Sequence, residues 1–383
     1  MKRPATRGIC ILLAVALNGW PWLEARDPAP GFVAPSQGQP PASAAPFFRE
    51  GVINPESPHA VSHVPSVTEL PDGRLAATWY AGSREGGRDV AIYFSLLAPG
   101  AAQWSSPRAI VTRESAERDL NRAIRKVGNS VVFADETGKL WVIYVTVSIG
   151  GWSGSSLNVT TSLNGGTTWS RSERLTLSPF FNLAELVKNA PVPLSDGGWA
   201  VPIYHELTST FPELLWLHET ADEVRATKSR LGAGWYGYQP ALAPLTRSRA
   251  LAFLRDDGAA RAVSLARTDD GGETWSDPEP LNLPNPDAGL DAIGLSDGRL
   301  LLAFNDSARD RSNLRLAISA DEGQTWTRVA TLAEEADEEF SYPFLTQTRA
   351  GDVHVLYTWK RKAIKHVVFN TAWLDERRSR AAE

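Results

Sequence analysis

From Phe47 onward the chain carries no long apolar stripe at helical spacing. A different unit recurs: a turn with Gly or Asp-Gly, followed by a short apolar or alternating run. It reads "ELPDGRLAATWY" (69–80), "ADETGKLWVIYV" (134–145), "PLSDGGWAVPIY" (193–204), "PLTRSRALAFL" (244–254), "GLSDGRLLLAFN" (294–305) and "QTRAGDVHVLYT" (347–358). Each turn is of the kind that joins two antiparallel strands, and each run after it has a strand's pattern. The copies are spaced by roughly 50 to 65 residues, the repeat length of propeller blades. The pattern predicts an all-β chain built as a six-bladed β-propeller.

A second repeat interleaves with the first. "SLNGGTTW" (162–169), "TDDGGETW" (268–275) and "SADEGQTW" (319–326) share Ser/Thr-x-Asp-x-Gly-x-Thr-Trp, with Asn164 replacing the Asp in the first copy. This is a hairpin in which Asp or Asn and Gly make the turn and the Trp lays its ring on the sheet. The spacing implies a degenerate copy near 215, and "SLLAPGAAQW" (95–104) reads as another worn one. These hairpins resemble the Asp-boxes of the sialidase-like superfamily. The resemblance implies a six-bladed propeller of the sialidase type over 47–375, with the N- and C-terminal strands sharing a blade. Asp-boxes lie on the rim, so they speak for fold rather than activity.

The resemblance also implies a site. Sialidases gather three arginines for the substrate carboxylate, a tyrosine nucleophile with a carboxylate partner, and an acidic proton donor. Arginine suits the task because its fork is permanently charged and matches a carboxylate. A phenol suits attack beside a carboxylate, where an anionic nucleophile would be repelled. Carried over residue by residue, "SHVP" (62–65) puts His63 where the first arginine is expected. Arg255 in "LAFLRDDG" takes the second position and Arg311 in "RSNLRLAISADEGQTW" the third. In "FSYPFLTQTRAG", Tyr342 falls on the nucleophile. Sixteen residues before Arg255 (255 − 239), where the activating Glu is expected, stands Gln239. An amide cannot act as a base.

The segment "WYAGSREGGRDVAIYFS" (79–95) offers Arg84 as a further basic group and Glu85 or Asp89 as the acid. Glu206, after the strand of "PIYHELTSTFPE", is the expected replacement for the carboxylate lost at Gln239. Arg125, with Arg122 and Lys126 in "NRAIRKVGNS", and Lys188 and Asn189 in "NLAELVKNAP" are expected substrate contacts; for the basic trio a solvated loop is the plainer reading.

Composition narrows the picture. The 383 residues are 43% hydrophobic and 22% charged, with a formal net charge of -5. That leaves no basic footprint for nucleic acid. The start "MKRPATRGICILLAVALNGWPWLEA" has a basic head and an apolar run from Gly8 to Leu17, too short to span a bilayer. Residues 1–25 therefore read as a secretory signal, with an uncleaved N-terminal anchor as the alternative, and a membrane tether would run through this segment only. The chain is expected to be exported, periplasmic or secreted. The one cysteine, Cys10, lies in that run, so the remainder has no disulfide or thiolate metal site. Residues 26–46 are Pro/Ala-rich and read as a flexible linker; 376–383 read as a charged tail. No His-Glu-x-x-His, nucleophile elbow or phosphate loop occurs, and no cofactor or metal is implied. The expected partner is a glycan or polysaccharide, bound by a monomer. The leading expectation is an exo-glycosidase for a terminal acidic sugar such as sialic acid. The alternatives are a non-catalytic carbohydrate-binding propeller and a glycosidase or lyase of altered specificity acting on bacterial polysaccharide.

Overall fold

Each of the six predicted repeats folds into its own antiparallel sheet in the computed structural model, which describes residues 29–35, 45–178, 182–207, 209–221, 223–232 and 237–381. The innermost strands are Val61–Glu69, Lys126–Ala134, Glu185–Val187 with Val192–Pro193, Tyr238–Pro244, Asp291–Gly294 and Phe340–Gln347. We number the blades one to six in that order. Each recurring turn joins an inner strand to the second strand of its blade. Gly73 shows why the residue is needed: its φ is +81°, and its N–H returns to Leu70 O at 2.9 Å. The sixth blade is closed by the N-terminal strand Phe48–Val52, which pairs with Ala363–Phe369 in the register Phe48↔Phe369 to Val52↔Lys365.

The three Asp-boxes turn between third and fourth strands. In each, the Asp or Asn carboxyl or amide oxygen accepts the Thr N–H four residues on, at 2.9 Å for Asn164, 3.0 Å for Asp270 and 2.8 Å for Asp321. Trp275 and Trp326 donate their indole N–H back to Gly272 O and Gly323 O, both at 3.2 Å. Asn does the work of Asp in the first box because only an acceptor oxygen is required.

The packing between blades is apolar. Trp79, Ile143, Ile203 and Leu215 belong to one buried cluster and Leu301, Leu316, Val355 and Val367 to another. One reading of the chain's ends is corrected. Within the stretch read as a flexible linker, residues 29–35 are docked: Phe32 is 2% exposed, bridges Leu194, and donates its N–H to Arg247 O at 2.8 Å. A buried aromatic ring fixes what the Pro/Ala composition suggested was loose. Beyond residue 375 the described chain is helical, the helix Thr371–Ala381 running through that boundary. It buries Trp373 and Leu374 and receives Arg299 on Asp375. The signal segment and Cys10 lie outside the described residues.

Candidate active site

Four inner strands break register where they open onto the top of the channel. The breaks fall between His63 and Ser66, Gly128 and Ser130, Tyr238 and Ala241, and Ser341 and Phe344. Such bulges re-aim a side chain out of the sheet pattern. At three of them a residue other than glycine takes a left-handed backbone: Val64 at φ +50°, Gln239 at +51° and Tyr342 at +52°. Each such conformation costs roughly 1–3 kcal/mol and persists only where the surroundings hold it.

The strained residues converge. Tyr342 Oη lies 3.4 Å from Arg255 Nη1, and the same Nη1 lies 3.2 Å from Gln239 Oε1. Arg255 Nε donates to Asp287 Oδ1 at 2.7 Å, and Tyr238 Oη donates to the same oxygen at 2.9 Å. The Arg255 guanidinium beside it holds the Asp287 carboxyl below its ordinary range against the pull of burial. Gln239 Nε2 donates to Tyr204 Oη at 3.1 Å. Arg311 lies over the Tyr342 ring, 5.6 Å from its centroid, and donates to Asp287 O at 3.0 Å. Gly289 makes this crowding feasible, for a β-carbon there would sit 2.9 Å from Tyr342 Cδ1 and 3.0 Å from Gln239 Oε1.

On the other side of Tyr342 stands His63, its ring edge-on at 4.8 Å between centroids. His63 is 2% exposed and its Nδ1 is 2.9 Å from Thr358 Oγ1. Burial lowers its pKa to about 3. It therefore stays neutral and cannot lend the charge expected of it toward a carboxylate. A third arginine does stand nearby, but from blade six: Arg361, whose carbonyl accepts the Ser62 N–H at 2.8 Å. Its guanidinium bonds Glu339 at 3.0 Å and also pairs with Glu85. Glu339 accepts in addition from Ser341 Oγ at 2.5 Å and Arg311 at 3.4 Å.

The remaining expected residues divide. Glu206 lines the wall half-buried, and burial raises its pKa against the opposing charges of Arg255 and Lys126. That is the direction a proton carrier needs near neutral pH. Asp89 does not fit the role of proton donor, because Ser83 Oγ and N donate to it at 2.8 and 2.7 Å and hold its pKa low. Glu85 sits exposed on the rim in its pair with Arg361, and Arg84 beside it is also exposed. Arg125 is exposed as well, donating to Gly150 O at 3.3 Å, while Lys126 lies 3.6 Å over the Trp152 ring. Lys188 and Asn189 do not meet the expectation of substrate contacts: both are 1% exposed and spent on backbone carbonyls. Gln239, 3% exposed, is likewise taken up by Arg255 and Tyr204.

Sequence reasoning missed Asp287, Gly289, Glu339 and Arg361. Glu339 had a signal in the acidic run ahead of Tyr342, and Arg361 in the basic cluster of "YTWKRK". Asp287 lies in the turn "PNPDAGL", where nothing local marks it out. Away from the pocket, Glu185, His205 and Glu213 bring one ligand atom each within 4.8 Å of the others, a spacing that could hold a metal. Lys228 Nζ sits among them, 2.7 Å from Glu185 and 3.0 Å from Glu213.

Residues 73–355 match the family model of the BNR repeat-like domain. No protein of curated function matches the chain in sequence. Among solved structures it resembles a Hadza microbial sialidase, at 18% identity and TM-score 0.68, over 80% of this chain and 65% of that one. A protein of unknown function from Dyadobacter fermentans is similar at 15% identity and TM-score 0.68, over 84% of this chain and 99% of that one. The intramolecular trans-sialidase from Ruminococcus gnavus is similar at 14% identity and TM-score 0.64, over 82% and 95%. At these identities the likeness is one of fold.

Proposed function

Since this chain belongs to the BNR repeat-like domain family and folds as a sialidase-type propeller, we propose that it is an exported exo-glycosidase that removes a terminal acidic sugar from a glycan. The observation that carries the reading is Tyr342, held in a left-handed bulge with Arg255 at 3.4 Å and Arg311 over its ring. Arg255 and Arg311, with Arg361 joined to Arg311 through Glu339, bind the sugar carboxylate. Arg255 also puts a permanent positive charge beside the oxygen that must shed its proton. The Tyr342 hydroxyl gives its proton to solvent, its oxygen attacks the anomeric carbon as the bond to the leaving oxygen breaks, and Glu206 gives that leaving oxygen a proton. Water then enters, Glu206 takes a proton back, and the tyrosyl–sugar bond breaks with net retention.

A second reading rests on a separate observation: Gln239, not a carboxylate, faces Arg255 beside Tyr342. In a β-elimination from a uronate, cationic and amide donors neutralise the carboxylate while the phenolate removes the proton next to it. The double bond forms as the β-carbon's bond to the leaving oxygen breaks, and that oxygen takes a proton from the new phenol. Such a site needs no carboxylate base on the tyrosine. The two readings give different products.

The test is turnover of a fluorogenic sialoside and a panel of acidic bacterial polysaccharides by wild type and Tyr342→Phe. Tyrosine-dependent release of a saturated acidic sugar supports the hydrolase. Tyrosine-dependent appearance of an ultraviolet-absorbing unsaturated product supports elimination. Binding without any product overturns both.

A further inference from the structure

The inner strand of blade three stops at Val187 and resumes at Val192. In the gap, two neighbouring side chains leave the sheet pattern, Asn189 for the adjacent blade and Lys188 for blades five and six. Lys188 Nζ donates to Asn189 Oδ1, Leu290 O and Pro343 O, each at 2.6 Å. Asn189 Nδ2 donates to Gln239 O at 3.0 Å and Pro240 O at 2.9 Å. All three ammonium hydrogens and both amide hydrogens are thereby used. The receiving carbonyls belong to blades four, five and six, which carry Gln239, Gly289 and Tyr342. Those of blades four and six fall on or beside the bulged residues, where the ladder to the second strand is interrupted, and Leu290 follows Gly289 directly.

We infer that Lys188 and Asn189 are positioning residues, which hold the Gln239 and Tyr342 bulges in the conformation that aims both side chains at Arg255. The inference rests on the reading of Tyr342 as the reacting group. Three observations support it. The held segments are the strained ones, with φ of +51° at Gln239 and +52° at Tyr342, and strain of that kind relaxes unless something over-determines it. The ties are dry, both residues being 1% exposed, so water does not compete for the carbonyls. And a buried ammonium is a poor means of filling a channel if stability alone were at stake. Hydrophobic side chains of similar volume generally do as well or better. Asp291, 2% exposed, answers the charge and ties back to blade six by accepting the Leu345 N–H at 2.7 Å.

The test uses the full chain with Asn189→Asp and Lys188→Met. Asn189→Asp is isosteric and keeps an acceptor for Lys188 but loses both donors to blade four. Lys188→Met keeps the bulk of the chain and loses all three donors. Tm, kcat and KM are measured on whichever acidic glycan wild type turns over. Fluorine NMR of fluorotyrosine at position 342 is recorded in parallel. A displacement of about 1 Å predicts a kcat lower by about 10²-fold. KM should stay near the wild-type value, and the fluorine resonance should shift or split. A lower Tm with wild-type kcat in Asn189→Asp would make the pair a strut and overturn the inference. If wild type turns over nothing, the functional reading fails, and the fluorine signal decides this one. An unchanged resonance in Asn189→Asp overturns it, and a displaced one upholds the positioning.

Discussion

Tyr342 and Arg255 meet at 3.4 Å, hydroxyl to Nη1, and among the described residues no carboxylate bonds the phenol. The partner that the resemblance would make a base is instead the amide of Gln239, which accepts from the same Arg255 nitrogen. Gln239→Glu is isosteric and can keep both the Arg255 contact and the one to Tyr204. If the enzyme is a hydrolase short of a base, kcat rises by about tenfold or more and a new acid limb enters the pH–rate profile. A fall in kcat would show that the neutral amide is required, which favours elimination.

Gly289 sets how closely the two bulges approach. A methyl group there meets the Tyr342 ring at 2.9 Å and Gln239 at 3.0 Å, so one of them must move. Gly289→Ala is expected to lower kcat/KM by about 10²-fold while leaving Tm within a few degrees of wild type. Wild-type kinetics in that variant would mean that the crowding has no bearing on reaction.

How much of this was legible beforehand differs between fold and site. The blades were readable because their signals are local: an Asp-Gly turn, a strand-like run and an Asp-box each lie within a dozen residues. Tyr342, Arg255 and Arg311 could be found because they keep a fixed offset from those signals. Asp287 could not, since its role depends on its loop meeting Arg255 and Tyr238 of the neighbouring blade. The misplacement of Lys188 and Asn189 has the same origin: polar residues at an inner-strand end look alike whether they face substrate or another strand's backbone. His63 was found in the right place, but burial, which no local pattern reports, removed its charge.

Acid should loosen the sixth blade. Trp104 Nε1 can only donate, so His366 Nδ1 accepts from it at 3.1 Å, which leaves His366 Nε2–H to donate to His354 Nδ1 at 2.9 Å. Burial lowers the pKa of His354 to about 4 and of His366 to about 3, as it does for His63. The folded state thus binds fewer protons than the unfolded chain. Stability from these groups is complete above their ordinary 6.5 and is lost as pH falls toward 4 and 3. Glu206 and Asp291, raised by burial, oppose the trend in part. Tm is expected to decline from pH 6.5 downward, and His354→Gln, which can still accept from His366 but cannot be protonated, should flatten the decline. A Tm that holds constant to pH 4.5 would refute the assignment.

Lys228 fills the place of a cation between Glu185 and Glu213. Chelation with EDTA is therefore expected to leave Tm unchanged. Lys228→Met leaves two buried carboxylates without their counter-charge and should cost about 3–5 kcal/mol in denaturant unfolding. In that variant His205 and the two glutamates become free to take zinc, so added zinc should restore part of the lost Tm. Loss of stability on chelation of the wild type would instead mean that a metal shares the cluster.

The seam that joins Phe48 to Phe369 imposes an order of assembly. Five blades are each made from one continuous stretch of chain, so they can form in the sequence in which they are synthesised. The sixth cannot, because its outer strand is the first of the propeller's strands to emerge and its other three are the last. Until those arrive, the N-terminal strand has no partner and the ring stays an open arc. Closing a loop of that length costs about 5 kcal/mol in chain entropy, recovered in a single step when the final hairpin docks. The pocket shares in that delay, since Tyr342 and Arg361 come with the last blade: a chain that has not closed has no site.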